Sequence, residues 1–415
     1  MIKKNSILVY ALLLVSNFSF SQHKNKKVLF IIVDGISADV LEKIESPNLD
    51  AIALKGGYTR AYVGGEKGGY SQTPTISAVG YNSLLTGTWA NKHNVWGNGI
   101  KKPNYKYWSI FRYAQEYKPS LKTAVFSTWL DNRTKLIGEG LLETGSHQLN
   151  YHFDGFEHDT INFPHGNDRD YIRKIDEHVT NEAARYIKAK APDLSWVYLE
   201  YTDDMGHQFG DSDQFYDAIR LMDDQVGRLW KALQFRIKNH NEDWEIYITT
   251  DHGRNADTGK GHGGQTDRER LTWMVTNSKN LNQYFKESEP AIVDILPTML
   301  QSLDIKPTKA QLWELDGTSI TGKVSLTNAK AVLNDTTLEI TWKALEKEGK
   351  VKIWLSTTNT FAEGKNDPYF FKVKSKIGSE KVSININELP SDLYKVVIEG
   401  KHNAINTWIR KKIVN

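Results

Sequence analysis

The chain contains no cysteine. That absence removes disulfides, zinc–thiolate sites, iron–sulfur clusters and cysteine nucleophiles from consideration. A surplus of one charge is missing too. Lys and Arg number 53 against 50 Asp and Glu, a net charge of +3 over 415 residues. No bulk field therefore argues for nucleic acid, and a duplex is not expected as a partner. No apolar run is long enough to span a bilayer, and there is no internal repeat or low-complexity tract. What remains is an ordinary globular composition at a length that asks for one large domain and a smaller one. Twelve histidines beside many aspartates keep nitrogen/oxygen metal sites open.

The N-terminus has the pattern of a processing segment. Lys3 and Lys4 precede an apolar stretch at 7–15, and Ser19-Phe20-Ser21 puts small residues at the two cleavage-determining positions before Gln22. Residues 1–21 are expected to be a signal peptide, which makes the mature protein secreted or periplasmic, without a membrane span. An uncleaved anchor is the competing reading, and the shortness of the stretch counts against it.

Segments 27–33, 123–127, 195–201, 244–249 and 271–275 are apolar enough to be buried strands. Between them, 176–188 and 215–235 carry apolar residues near the 3.6 period, and Ser46-Pro47 opens another helix with a cap followed by proline. The alternation predicts an α/β fold with a mostly parallel sheet and helices on both faces over residues 22–325. From residue 330 to 415 the pattern changes to short alternating segments with turns between them. A small antiparallel β-sandwich, fibronectin III-like by strand count, is expected there. Trp342, Trp354 and Trp408 fall in it and are expected in its core rather than on a glycan-binding face.

Asp34, Asp203 and Asp251 are each expected to end a strand. Three carboxylates at one sheet edge repel each other unless a cation lies between them. A lone aspartate at such a junction is more often a helix cap. Here, however, histidines accompany them: Asp203-Asp204-Met205-Gly206-His207 is read as a tight turn, Asp251-His252-Gly253 as a strand end, and His262 lies in a glycine-rich loop. Divided between two ions, the set is Asp203, His207 and His262 for one. Asp34, Asp251, His252 and a hydroxyl serve the other, both sets being of a kind zinc accepts. The hydroxyl lies within 73–87, where Thr73, Thr75 and Ser77 are all available.

These motifs, in this order, resemble the alkaline phosphatase superfamily, and within it the nucleotide pyrophosphatase/phosphodiesterase branch. Val33-Asp34-Gly35 matches the opening motif. Pro74-Thr75-Ile76-Ser77, closing in Thr86-Gly87, matches the nucleophile turn, with Ser in place of Thr. His93, Asn98, Asp203 to His207, Asp251 to Gly253 and His262 follow in register. The resemblance implies two Zn2+ ions, held by Asp34, Ser77, Asp203, His207, Asp251, His252 and His262. It further implies Ser77 as the nucleophile and Asn98 as a contact to a phosphoryl oxygen. The activity implied is hydrolysis of a small-molecule phosphate ester (nucleotide, lipid or glycan-linked) through a phosphoserine. A phosphodiesterase is favoured over a phosphomonoesterase, and a non-catalytic binding protein with a relic site is third. The sulfatase signature Cys/Ser-x-Pro-x-Arg is absent around Ser77. His93 is expected to be structural. Arg133, Trp96 and Tyr70 are the candidate substrate contacts, the aromatics by stacking, with Tyr81, Trp89 and Trp129 nearby in sequence. Nothing in the sequence specifies an oligomer.

Overall fold

A computed structural model describes residues 24–411. The expected signal peptide lies outside the described residues. Among them, no helix is long and apolar enough to cross a membrane.

The chain builds a seven-stranded sheet in the order β2-β7-β6-β1-β5-β3-β4. Its strands are β1 (Asn25–Val33), β2 (Gly57–Tyr62), β3 (Thr123–Ser127), β4 (Tyr151–Phe153), β5 (Leu194–Leu199), β6 (Glu242–Thr249) and β7 (Leu271–Thr276). β1 is central and pairs in parallel with β5 and β6, and its residues 28–33 are buried on both sides, which explains the unbroken apolar run. β3 extends the parallel set to β4. β7 runs antiparallel to β6, and β2 antiparallel to β7. That reversal and the strands β2 and β4 were not visible in the sequence. β2 alternates exposed and half-buried residues and β4 has three residues, so neither carries a strong apolar signal.

Helices cover both faces and two apolar cores result. One face is filled largely by Asp170–Lys190 and Asp213–Asn239, both longer than their apolar periodicity indicated. The other holds the Ser77–Thr86 helix, all ten of whose residues are buried. The strand expected at 195–201 stops at Leu199. The backbone then turns directly into the helix Tyr201–Phe209.

Seven further strands form two antiparallel sheets around a third core: β8 (Leu326–Asn334), β9 (Thr337–Ala344), β10 (Lys350–Ser356), β11 (Phe370–Lys376), β12 (Lys381–Asn385), β13 (Leu393–Glu399) and β14 (Ala404–Arg410). The orders are β11-β10-β13-β14 and β12-β9-β8. Trp342 lies in that core. Trp408 is equally buried but faces the α/β body, where its ring stacks on Tyr70 with centroids 6.0 Å apart.

Candidate active site

The parallel strands deliver their carboxyl ends to one edge. Asp34 follows β1 directly, and Asp251 lies two residues beyond β6. Asp203 does not end a strand. It sits in the first turn of the Tyr201–Phe209 helix, so Asp203 and His207 are an i,i+4 pair on one helical face rather than partners across a turn. Their atoms Oδ2 and Nε2 are 3.2 Å apart.

The other imidazoles converge on the same place. His252 is wholly buried, and its Nε2 lies 3.3 Å from Asp34 Oδ1, 3.3 Å from Asp251 Oδ2 and 4.0 Å from Asp203 Oδ1. His262 Nε2 lies 3.1 Å from His207 Nε2. The His252 and His262 rings stack with centroids 3.6 Å apart, which brings the two sets side by side. Each ring has its Nδ1 beside a main-chain carbonyl, Gly253 O for His252 and Thr75 O for His262, both at 2.9 Å. Donation there fixes the tautomer and leaves both Nε2 lone pairs facing the cluster.

This arrangement fits a cation. Asp34 Oδ1 and Asp251 Oδ2 are buried and have no hydrogen-bond partner among the described residues, which is costly unless a positive charge meets them. Burial, with the charges of Asp34 and Asp203, pushes the Asp251 carboxyl well above the usual carboxylate range. Burial, with the neighbouring His252, lowers His262 to about 4. Two donor groups have their ligand atoms within 4.8 Å of one another: Asp203, His207 and His262, and Asp34, Asp203 and His252. Asp203 therefore borders both groups, a consequence of the helix that carries its carboxylate between the imidazoles.

Ser77 is the first residue of its helix, not the cap. The cap position is Ile76, which has no side-chain acceptor. Asn98 supplies one from a distance, its Oδ1 accepting from Ala78 N at 3.0 Å. Asn98 is itself exposed. A Cβ on Gly80 would fall 2.7 Å from Asp251 O. Glycine there lets the helix press on the Asp251 turn. Ser77 Oγ then lies 3.5 Å from His252 Nε2. The other candidate hydroxyls are engaged. Thr73 Oγ1 donates to Ser71 O and accepts from Ala90 N. Thr75 Oγ1 donates to Gly264 O and accepts from Gly263 N, tying down the His262 loop.

Several side chains serve other purposes than the sequence suggested. Tyr81 is wholly buried, not a stacking surface, and its hydroxyl bonds Asp34 Oδ2. Tyr198 does the same at 2.7 Å. Arg133 is not free for substrate: its Nε and Nη2 bond Asp154 at 2.6 and 2.9 Å, and its Nη1 bonds Glu139 at 2.6 Å. Tyr70 is committed to Trp408. Trp89 is buried against Tyr62. Trp96 is 48% exposed, held by a 2.9 Å bond from its Nε1 to Asn94 Oδ1. His93 is wholly buried between Ser83 Oγ and Val95 N, and burial lowers it to about 3, as suits a structural residue. The sequence assigns no role to Tyr198, to Arg254 or to the hydroxyl of Thr202, which donates to Asp34 O at 2.6 Å. A tyrosine inside an apolar strand and a lone arginine after Asp251-His252-Gly253 carry no signal of the partners they find.

Residues 28–260 match the family model described as type I phosphodiesterase / nucleotide pyrophosphatase. The chain belongs to this family. As a phosphodiesterase-family member it is a phosphoester hydrolase of the alkaline phosphatase superfamily, and the family is metal-dependent. Among solved structures it is similar to the phosphonate monoester hydrolase of Agrobacterium radiobacter (13% identity over 93% of this chain and 89% of that one, TM-score 0.51). That likeness extends to the fold. It is also similar to murine ectonucleotide pyrophosphatase / phosphodiesterase 5 (15% identity, 68% and 96% coverage, TM-score 0.47). A third is an alkaline phosphatase superfamily protein of Vibrio parahaemolyticus (14% identity, 77% of each chain, TM-score 0.48). No curated protein matches the chain.

Proposed function

We propose that this phosphodiesterase-family protein cleaves small phosphodiesters through a phosphoserine on Ser77, at a site holding two Zn2+ ions. The observation that supports it best is the surroundings of His252 Nε2: two buried carboxylate oxygens without partners and one serine hydroxyl, all within 3.5 Å.

The residues divide the work as follows. Asp203, His207 and His262 would hold one ion, and Asp34, Asp251 and His252 the other, with Ser77 beside it. Ions held there supply a lowered pKa for a bound hydroxyl and charge stabilisation for phosphoryl oxygens. Tyr81 and Tyr198 occupy Asp34 Oδ2 and so aim Oδ1 at the cluster. Thr75, through its hydroxyl and its carbonyl, fixes the glycine-rich loop that carries His262. Ser77 Oγ forms the new bond to phosphorus as the ester oxygen leaves in line, and water then cleaves the phosphoserine. Asn98, anchored through Oδ1 on Ala78 N, offers Nδ2 to a non-bridging oxygen. Trp96, exposed two residues earlier, offers an aromatic face to a leaving group. The signal-like segment 1–21, the catalytic span 22–325 and the sandwich 330–415 give a secreted or periplasmic enzyme.

Phosphomonoesterase activity on the same residues is the second reading. Arg133 bears on the choice, because its ion pairs leave no guanidinium there for a dianion. Turnover of bis(p-nitrophenyl) phosphate is expected to exceed that of p-nitrophenyl phosphate on zinc-loaded protein. A large monoester preference would reverse the assignment.

A further inference from the structure

Arg254 follows the Asp251-His252-Gly253 turn and is wholly buried. Its guanidinium joins three segments that carry ligand candidates. Nε donates to Gly35 O at 2.8 Å, next to Asp34. Nη2 donates to Asp203 O at 2.8 Å and also to the Asp203 carboxylate through Oδ1. Nη1 donates to Lys260 O at 3.0 Å, two residues before His262. The main-chain N of Arg254 is fixed by Ser37 Oγ at 2.8 Å. Phe215 packs with its ring centre 5.5 Å from Cζ.

Two glycines from two different motifs clear the space. A Cβ on Gly206 would fall 2.2 Å from Cζ and Nε of Arg254. A Cβ on Gly35 would fall 2.7 Å from Nη2 and 2.4 Å from Asp203 Oδ1. Gly206 lies inside the Tyr201–Phe209 helix, where glycine is a poor helix former. The guanidinium beneath it is the physical reason that position takes no side chain.

Asp203 has two oxygens, and Arg254 takes Oδ1 while Oδ2 faces His207. We propose that Arg254 is a positioning residue for the Asp203–His207–His262 group. It presents Oδ2 toward that group and steadies the loop leading to His262, so that the convergent ligands form two cation sites instead of one pooled site. This inference rests on the two-cation reading above.

Two measurements on the full chain test it. The first needs no metal: melting temperatures of metal-stripped Gly206→Ala, Arg254→Ala and the double variant. Gly206→Ala is expected to lower the melting temperature by several degrees when Arg254 is present, and to be neutral or favourable in the Arg254→Ala background. Additive losses would overturn the packing on which the inference stands. The second is zinc titration against a chromophoric chelator. Wild type is expected to hold two equivalents. In Arg254→Ala one of them is expected to weaken about ten- to hundredfold, with Arg254→Lys intermediate because a point charge cannot reach all three segments. Unchanged affinity for both equivalents overturns the inference alone. Fewer than two equivalents in wild type overturns the two-cation reading beneath it. Should Arg254→Ala not fold, unchanged zinc binding in Arg254→Lys is the overturning result.

Discussion

Two regions of this protein bury charge, and they do it in opposite ways. At the carboxyl edge of the sheet, Asp34 and Asp251 keep oxygens with no hydrogen-bond partner among the described residues; His252 turns its Nε2 toward them, and His262 faces His207 beside it. At the junction with the sandwich, two buried lysines are satisfied. Lys395 Nζ bonds Glu314 Oε1 and Asp367 Oδ2, each at 2.6 Å, with Asn359 Oδ1 at 3.4 Å. Lys92 Nζ bonds Asp316 Oδ1 at 2.6 Å, Glu314 O at 2.8 Å and Asn406 Oδ1 at 2.8 Å. Of the carboxylate oxygens there, Glu314 Oε2 lacks a partner. A buried charge whose partners are present is structure. A buried carboxylate that no ammonium or guanidinium neutralises is a place for a ligand.

The largest expected effect lies at the edge. Ser77→Ala should lower kcat by roughly a thousandfold or more while the melting temperature stays within a few degrees of wild type. An active Ser77→Ala enzyme would break the assignment of the hydroxyl. The next lies at the junction. Lys395→Met leaves Glu314 and Asp367 facing each other uncompensated, at a cost of about 3–5 kcal/mol. Urea unfolding should register that loss with kcat unaltered, and a fall in kcat without loss of stability would erase the contrast between the regions. Metal stripping comes third. Saturating zinc at about 100 times its Kd should add about 2.7 kcal/mol to stability for each ion bound, together with activity that chelation abolishes and zinc restores. A zinc-indifferent melting curve would remove the edge from the ligand-seeking class.

The last test concerns the pH profile. Asp294 is buried and accepts from Thr318 N, Ala291 N and Tyr284 Oη, with no cation bonded to it. Burial lifts its carboxyl to about 7. An unfolded aspartate titrates near 4, roughly, so between those values the native state holds a proton the unfolded chain has lost. Its contribution is full below about pH 4 and is lost as pH rises toward 7. The urea midpoint should therefore decline between about pH 4 and 7, and Asp294→Asn should flatten that decline. An unchanged slope would place the titration elsewhere.

Much of this was legible before any coordinates. β1 and β3 declare themselves by being apolar on both faces, and β3 has the expected bounds. Asp34, Asp251 and the histidines stand out because carboxylates beside imidazoles after strands ask for a cation. What escaped the sequence depends on direction. A strand signal carries no polarity, so the reversal of β7 is silent. Asp203 was placed at a strand end because an apolar run does not say where extension yields to helix. Tyr81 and Arg133 belong to polar bonds made across long sequence separations, Tyr81 to Asp34 and Arg133 to Asp154. Side-chain type alone does not reveal which partner a hydroxyl or guanidinium will find.

The lysine junction also bears on how the molecule comes into being. Lys92 lies in the first quarter of the chain, yet one of its acceptors is Asn406 and its ring neighbour is Trp408. Glu314 likewise waits for Lys395. A ribosome delivers these partners last, so the α/β body is made with Lys92 already paired to Asp316 but short of Asn406, and with the Glu314 carboxylate still without its ammonium. A chain cut short before β13 and β14 would lack Lys395, Asn406 and Trp408, and with them the bonds that close the junction.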